Sequence, residues 1–157
     1  MNKYLIPEHI NSINFTCRPE SVPYNYRISY KVAQICLILY FSVKKGGCSF
    51  VKIQMIATAL TSSFDMLQLS NFISGELPDY SLVKFDPAVN YAIQFAVIEG
   101  LLYRQKDGKY KLTSKGKEYC RQIMNDESLL VSEKKNLQEL GDKVLEKNIE
   151  KLIDRWK

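Results

Sequence analysis

The sequence predicts a mainly α-helical fold carrying one small β-hairpin (α+β), and three observations lead there. Between Asp86 and Met124 the signals run helix, turn-centred hairpin, helix; from Tyr26 to Val43 apolar residues surround a helix on every side; and from Ser132 to Lys157 a further apolar periodicity of helical spacing closes the chain. The order is that of a winged-helix domain at residues 26–126, with an extended N-terminal arm at residues 1–25 and a C-terminal amphipathic helix within residues 127–157. The 157 residues suit one domain of ordinary size plus an appended element, and 46% hydrophobic content is enough for a core.

The arm contains Pro7, Pro19 and Pro23 and no sustained helical period, while its Leu5, Ile6, Ile10, Ile13 and Phe15 favour docking over the domain. In the first helix Ile28, Val32, Ile35, Cys36, Leu39 and Tyr40 follow helical spacing and Leu37, Ile38 and Phe41 fill another face, which makes this helix central. Lys44-Lys45-Gly46-Gly47 stops it. Ser49 caps a second helix with Ile53, Ile56, Ala57 and Leu60 inward, and Ser62 or Ser63 opens a third over Phe64 to Ser74. After Gly75 and Pro78, Tyr80 to Phe85 reads as a short strand able to join the hairpin.

Asp86 as N-cap, Pro87 in the first turn and Gly100 at the stop bracket a helix from Pro87 to Glu99 that holds no Lys or Arg. Leu101 to Gln105 and Tyr110 to Leu112 then flank the turn Lys106-Asp107-Gly108-Lys109, and Thr113 or Ser114 caps the helix that follows. A helix that reads DNA ahead of a wing supplies polar and basic groups to base edges. This one offers mainly Val89, Ala92, Ile93, Ala96 and Val97, a composition suited to touching protein.

Charge is unevenly placed. The chain carries a net +5, yet Glu127 to Lys157 holds seven basic and seven acidic residues. The excess lies in Arg104, Lys106, Lys109, Lys111, Lys115, Lys117 and Arg121, opposed only by Asp107 and Glu118 within that stretch. Such a patch, interleaved with Tyr103, Tyr110 and Tyr119, is a candidate nucleic-acid surface acting through counterion release. The alternative is a solvated hairpin whose lysines keep an exposed edge soluble.

In the tail, Leu137, Leu140 and Val144 group on one side of a helix, whereas Leu145, Ile149, Leu152 and Trp156 centre about 100° away. Gly141 sits at the join and permits a bend. One reading folds this tail back onto its own domain. The other makes Leu145, Ile149, Leu152 and Trp156 a partner-binding stripe with Trp156 as its anchor.

Other classes find little support. Cys17, Cys36, Cys48 and Cys120 are scattered and His9 is the one histidine, so neither a zinc site nor a disulfide framework is suggested, and a reduced cytoplasmic chain is expected. The most apolar run, Val32 to Val43, is twelve residues long, against about 20 for a bilayer span. Lys3, Glu8 and His9 interrupt any signal sequence at Met1. His9 has no identifiable nucleophile partner, Glu8 and Glu20 are isolated, Gly46-Gly47 lacks the ending of a phosphate loop, and Asp79 and Asp86 do not make a metal cage. The expectation is a non-enzymatic chain with no cofactor and no metal.

Four segments together resemble a known family: Tyr26-Arg27-Ile28-Ser29-Tyr30-Lys31; Phe85-Asp86-Pro87-Ala88-Val89-Asn90-Tyr91-Ala92-Ile93; Glu99-Gly100-Leu101-Leu102; and Leu112-Thr113-Ser114-Lys115-Gly116-Lys117. Over roughly Tyr26 to Met124 the chain is similar to the middle components of bacterial ABC-three-component systems, the group that includes Lamassu-type defence. The Leu-Thr-x-x-Gly piece is shared by many winged-helix regulators, and the Asp-Pro-Ala-x-Asn segment is more particular. The resemblance implies a non-enzymatic adaptor that assembles with an SMC/Rad50-like ATPase and an effector, often a nuclease, against phage or plasmids; the basic wing adds the expectation of auxiliary non-specific DNA contact. The competing expectation is a winged-helix transcription regulator holding DNA through Lys106, Lys109 and Lys111.

Overall fold

Helix α1 (Ile28–Ser42) is the axis of the molecule: Lys31 through Leu39 are buried without interruption, as the all-round apolar sequence requires. The computed structural model describes residue 23 and residues 27–76 and 84–155 of the chain. The elements that follow in chain order are α2 (Phe50–Ala59), α3 (Ser63–Ser74), α4 (Pro87–Ile98), β1 (Leu102–Arg104), β2 (Tyr110–Leu112), α5 (Ser114–Asn125), α6 (Val131–Leu140) and α7 (Glu146–Asp154), of which α2, α4, α5, α6 and β2 pack on α1. The described residues are thus mainly helical with a small two-stranded antiparallel sheet. One apolar core runs through them, from Ile35, Leu37 and Ile38 of α1 to Leu137 of α6 and Ile149 of α7.

The caps fall where the sequence puts them. The side chains of Ser49, Ser62, Asp86 and Thr113 accept from Lys52, Asp65, Ala88 and Gly116 amides and start α2, α3, α4 and α5 respectively. Asp86 does more than cap. Its second carboxylate oxygen lies 3.0 Å from the Lys31 ammonium, whose side chain is only 5% exposed. Gln54 of α2 completes the joint by accepting from the Asp86 amide at 3.0 Å and donating to its carbonyl at 3.2 Å. Three helices therefore meet on one residue, and a buried ammonium obtains the partner that burial demands.

A second joint holds the hairpin. The Thr113 amide donates to the Leu101 carbonyl at 3.0 Å and its hydroxyl donates to Gly100 at 2.5 Å, tying the exit of β2 to the exit of α4. Gly116 packs so tightly here that a Cβ would stand 2.1 Å from the Leu101 carbonyl oxygen. Any side chain would force α5 away at about 1–3 kcal/mol. The Leu-Thr-x-x-Gly signature is thus a packing requirement.

The sheet differs from expectation in its third neighbour. Residues 80–83 of the expected strand lie outside the described residues, and Lys84 and Phe85 are not in a strand. The segment that joins the hairpin is Cys48, which exchanges both backbone hydrogen bonds with Tyr110 at 2.9 and 2.8 Å. Gly47 permits this approach, with φ of +92° and Gln105 Oε1 only 2.3 Å from where a Cβ would be. The tail also departs from a single helix: the bend expected at Gly141 is a full break over residues 141–145. Tyr30 donates to Glu133 at 2.5 Å, Lys44 pairs with Asp142 at 2.8 Å, and the Ser49 amide donates to Glu146 at 2.8 Å, so both tail helices are fastened to α1 and the α1–α2 turn. Of the N-terminal arm, only the exposed Pro23 is within the described residues.

Three expected outcomes check the Asp86 joint and the burial of the thiols. Asp86→Ala should cost about 2–4 kcal/mol in chemical denaturation, combining the lost cap with a buried Lys31 left unpaired, an ion-pair loss discounted because Asp86 is one-third exposed. Adding Lys31→Met should restore a substantial part of it. Burial pushes the Cys48 thiol up to about 12; because the folded value is raised, its stabilisation is complete below the ordinary thiol range and is lost as pH rises toward 12. A Cys17→Ser variant should accordingly show no fast thiol toward a disulfide reagent at pH 8, and three after unfolding, since Cys36, Cys48 and Cys120 are all buried.

Candidate nucleic-acid and partner interfaces

The seven basic residues expected to form one patch divide into separate groups. Lys115 turns to α4 and donates to the Glu99 carbonyl at 2.7 Å, satisfying the C-terminal end of that helix. Arg104 folds over the turn, its guanidinium 3.6 Å from where a Cβ on Gly108 would be, and Lys109 packs beside Gly47. Lys106 is exposed at the tip of the turn. Lys111, Lys117 and Arg121 face a cleft of about 400 Å³ between the hairpin, α5 and the end of α1.

That cleft is more cationic than the local sequence suggests. Lys44 and Lys45 line it from the opposite wall, with Tyr40 and Tyr103 also lining it and Leu39, Val43 and Leu112 among its apolar residues. Lys44 is paired with Asp142 and Arg121 with Glu118, both between exposed side chains. The Asp142 carboxyl is held below the ordinary aspartate range, first by its hydrogen bond from Lys44. Lys45, Lys111 and Lys117 have no acidic partner among the described residues. Lys44-Lys45 reads in sequence only as a helix stop, because nothing local reveals that the α1–α2 turn returns against the hairpin. The Cys48–Tyr110 pairing is what brings them together.

Helix α4 has a different surface from the one its composition suggests. Val89, Ala92, Ile93 and Ala96 are consumed by the core, so they are not available to a partner. The outer face instead shows Tyr91, 62% exposed, and Ile98, 81% exposed, with Phe95 and Val97 also open and Asn90 and Gln94 between them. Phe95 continues into a hollow of about 480 Å³ shared with Ile28, Val32 and Leu101. Tyr91, Phe95 and Ile98 follow i, i+4, i+7 spacing along one face, which is more than the scattered apolar residues of an ordinary surface.

The tail residues expected to meet a partner are likewise divided. Ile149 and Leu152 are buried in the chain's own core, Leu145 is 55% exposed before α7, and Trp156 lies outside the described residues. The physical reason is the break after α6, which turns the second apolar group back against α2. Among the described residues there is no group of His, Cys, Asp and Glu able to hold a metal ion, and no helix long and apolar enough to cross a membrane.

Leu152→Ala should therefore act as a core truncation, lowering stability by about 2–5 kcal/mol in a denaturant titration, whereas Leu145→Ala should stay within about 0.5 kcal/mol. Comparison with protein-family models, with curated proteins and with solved structures found no match to this chain.

Proposed function

We propose that the protein is a non-enzymatic adaptor with a winged-helix arrangement, in which the outer face of α4 docks a protein partner and the cationic hairpin region makes auxiliary contact with nucleic acid. The observation that carries this reading is the outer face itself: Tyr91, Phe95, Val97 and Ile98 stand in solvent on a helix without a single Lys or Arg. Burying aromatic and aliphatic anchors is how protein interfaces gain affinity. A helix entering a DNA groove approaches phosphates, and cations beside its reading residues are the usual means of doing so.

The sequence resemblance names the partners this reading favours: an SMC/Rad50-like ATPase and an effector subunit, in defence against phage or plasmids. The segments that carry the resemblance lie at the two joints. Lys31 and Asp86 belong to the first and second segments and Gly100, Leu101, Thr113 and Gly116 to the third and fourth. What they have in common is a scaffold, and the adaptor role rests on α4 rather than on them.

A second reading has one observation in its favour. Asn90 and Gln94 are both exposed and one turn apart on α4, and Asn and Gln are the side chains that pair with adenine edges. A winged-helix regulator would use them with Lys106, Lys109 and Lys111 on the backbone of a particular duplex.

Co-expression with a coiled-coil ATPase of the SMC/Rad50-like class separates the two. The adaptor should co-purify with that ATPase, and Tyr91→Ser with Ile98→Ser should reduce capture at least about tenfold, the effect of losing two interface anchors, while leaving the melting temperature within about 2 °C. Tight, promoter-specific binding by the isolated chain, lost on Asn90→Ala with Gln94→Ala, would replace the adaptor with the regulator.

A further inference from the structure

The cleft formed by the end of α1, the hairpin and α5 deepens the nucleic-acid half of the proposed function, on which it rests, and is independent of the protein-docking half. Five cations surround about 400 Å³ of space, and two of them already have carboxylate partners, leaving Lys45, Lys111 and Lys117 for an external anion. The site is built rather than scattered. Lys111 is half-buried in β2 opposite Tyr103 in the β1–β2 register, and the α1–α2 turn that carries Lys44 and Lys45 is locked to β2 through Cys48 and Tyr110. Tyr40 is held edge-on against Phe41 with ring centroids 5.4 Å apart, so one of the two aromatic groups is positioned before anything binds.

Cations facing a recess, with tyrosines in the same lining, select among polyanions. A duplex presents convex phosphate ridges and stacked bases that cannot enter such a recess, so it would meet only the exposed rim. A single strand can splay a base onto a tyrosine ring while its phosphates run along the lysines, which is the recurrent way proteins hold single-stranded nucleic acid without reading sequence. We infer that this cleft is a binding site for single-stranded nucleic acid, with Lys45, Lys111 and Lys117 taking phosphates and Tyr40 and Tyr103 stacking bases.

Fluorescence anisotropy with the full chain, a labelled oligothymidine and a duplex of the same length tests the assignment. The single strand should bind more tightly than the duplex, with a slope of log affinity against log salt near about −2, as three neutralised phosphates give. Lys45→Glu, Lys111→Glu and Lys117→Glu together should abolish the binding and, since none lies on α4, leave ATPase capture intact. Tyr40→Ala with Tyr103→Ala should weaken the single strand at least about fivefold and the duplex hardly at all. Tyr40→Phe with Tyr103→Phe should keep the affinity, which guards against a loss caused by a disturbed hairpin. Equal affinity for the two oligonucleotides, or a double alanine variant that melts normally and binds the single strand as before, would overturn the inference. Failure of ATPase capture with single-strand binding preserved would count against the adaptor alone.

Discussion

The architecture turns on a single charged contact inside a greasy helix. Lys31 is buried in α1, where an unpaired ammonium would cost several kcal/mol. The carboxylate that receives it belongs to Asp86, the residue that also opens α4 and whose backbone amide and carbonyl are both bonded to the side-chain amide of Gln54 of α2. Apolar packing is non-directional and would tolerate several azimuths of α4 around α1. The ion pair does not. By fixing where α4 begins, it decides which residues of that helix face inward, and hence that Tyr91 and Ile98 face out.

The hairpin is placed by the other end of the same helix. Gly100 stops α4, Thr113 returns its amide and hydroxyl to the residues just past that stop, and Gly116 lets α5 close in behind. From there the strand pairing extends to Cys48, so the turn after α1 becomes one wall of the cationic cleft. A chain of short-range contacts thus carries position from a buried lysine to an exposed basic surface.

Local signals in the sequence were sufficient for everything that local chemistry determines. Ser49, Ser62, Asp86 and Thr113 cap the helices they precede, the turn at residues 106–109 joins β1 to β2, and α1 is central because it is apolar all round. What escaped was long-range. The apolar residues of α4 look the same in sequence whether they meet the core or a partner; only the azimuth set by Asp86 separates Val89 and Ala96 from Phe95 and Ile98. Lys44 and Lys45 gave no sign of sharing a cleft with Lys111, Lys117 and Arg121, because residues far apart in sequence are joined there by a tertiary pairing. The tail's two apolar groups were visible, but the break that sends Ile149 and Leu152 inward depends on what they find to pack against.

The glutamate at the head of α7 has a wider reach than its place in the tail suggests. By accepting the Ser49 amide it completes, from 97 residues downstream, the cap that Ser49 itself begins for α2, and Asp142 nearby neutralises Lys44. A deletion that removes the last helices would therefore do more than shorten the protein. It would leave an amide unsatisfied next to the strand that walls the cleft and release a positive charge into it, so anion affinity in a truncated chain would report on an altered electrostatic environment and a loosened wall, not on the native site with its appendage trimmed.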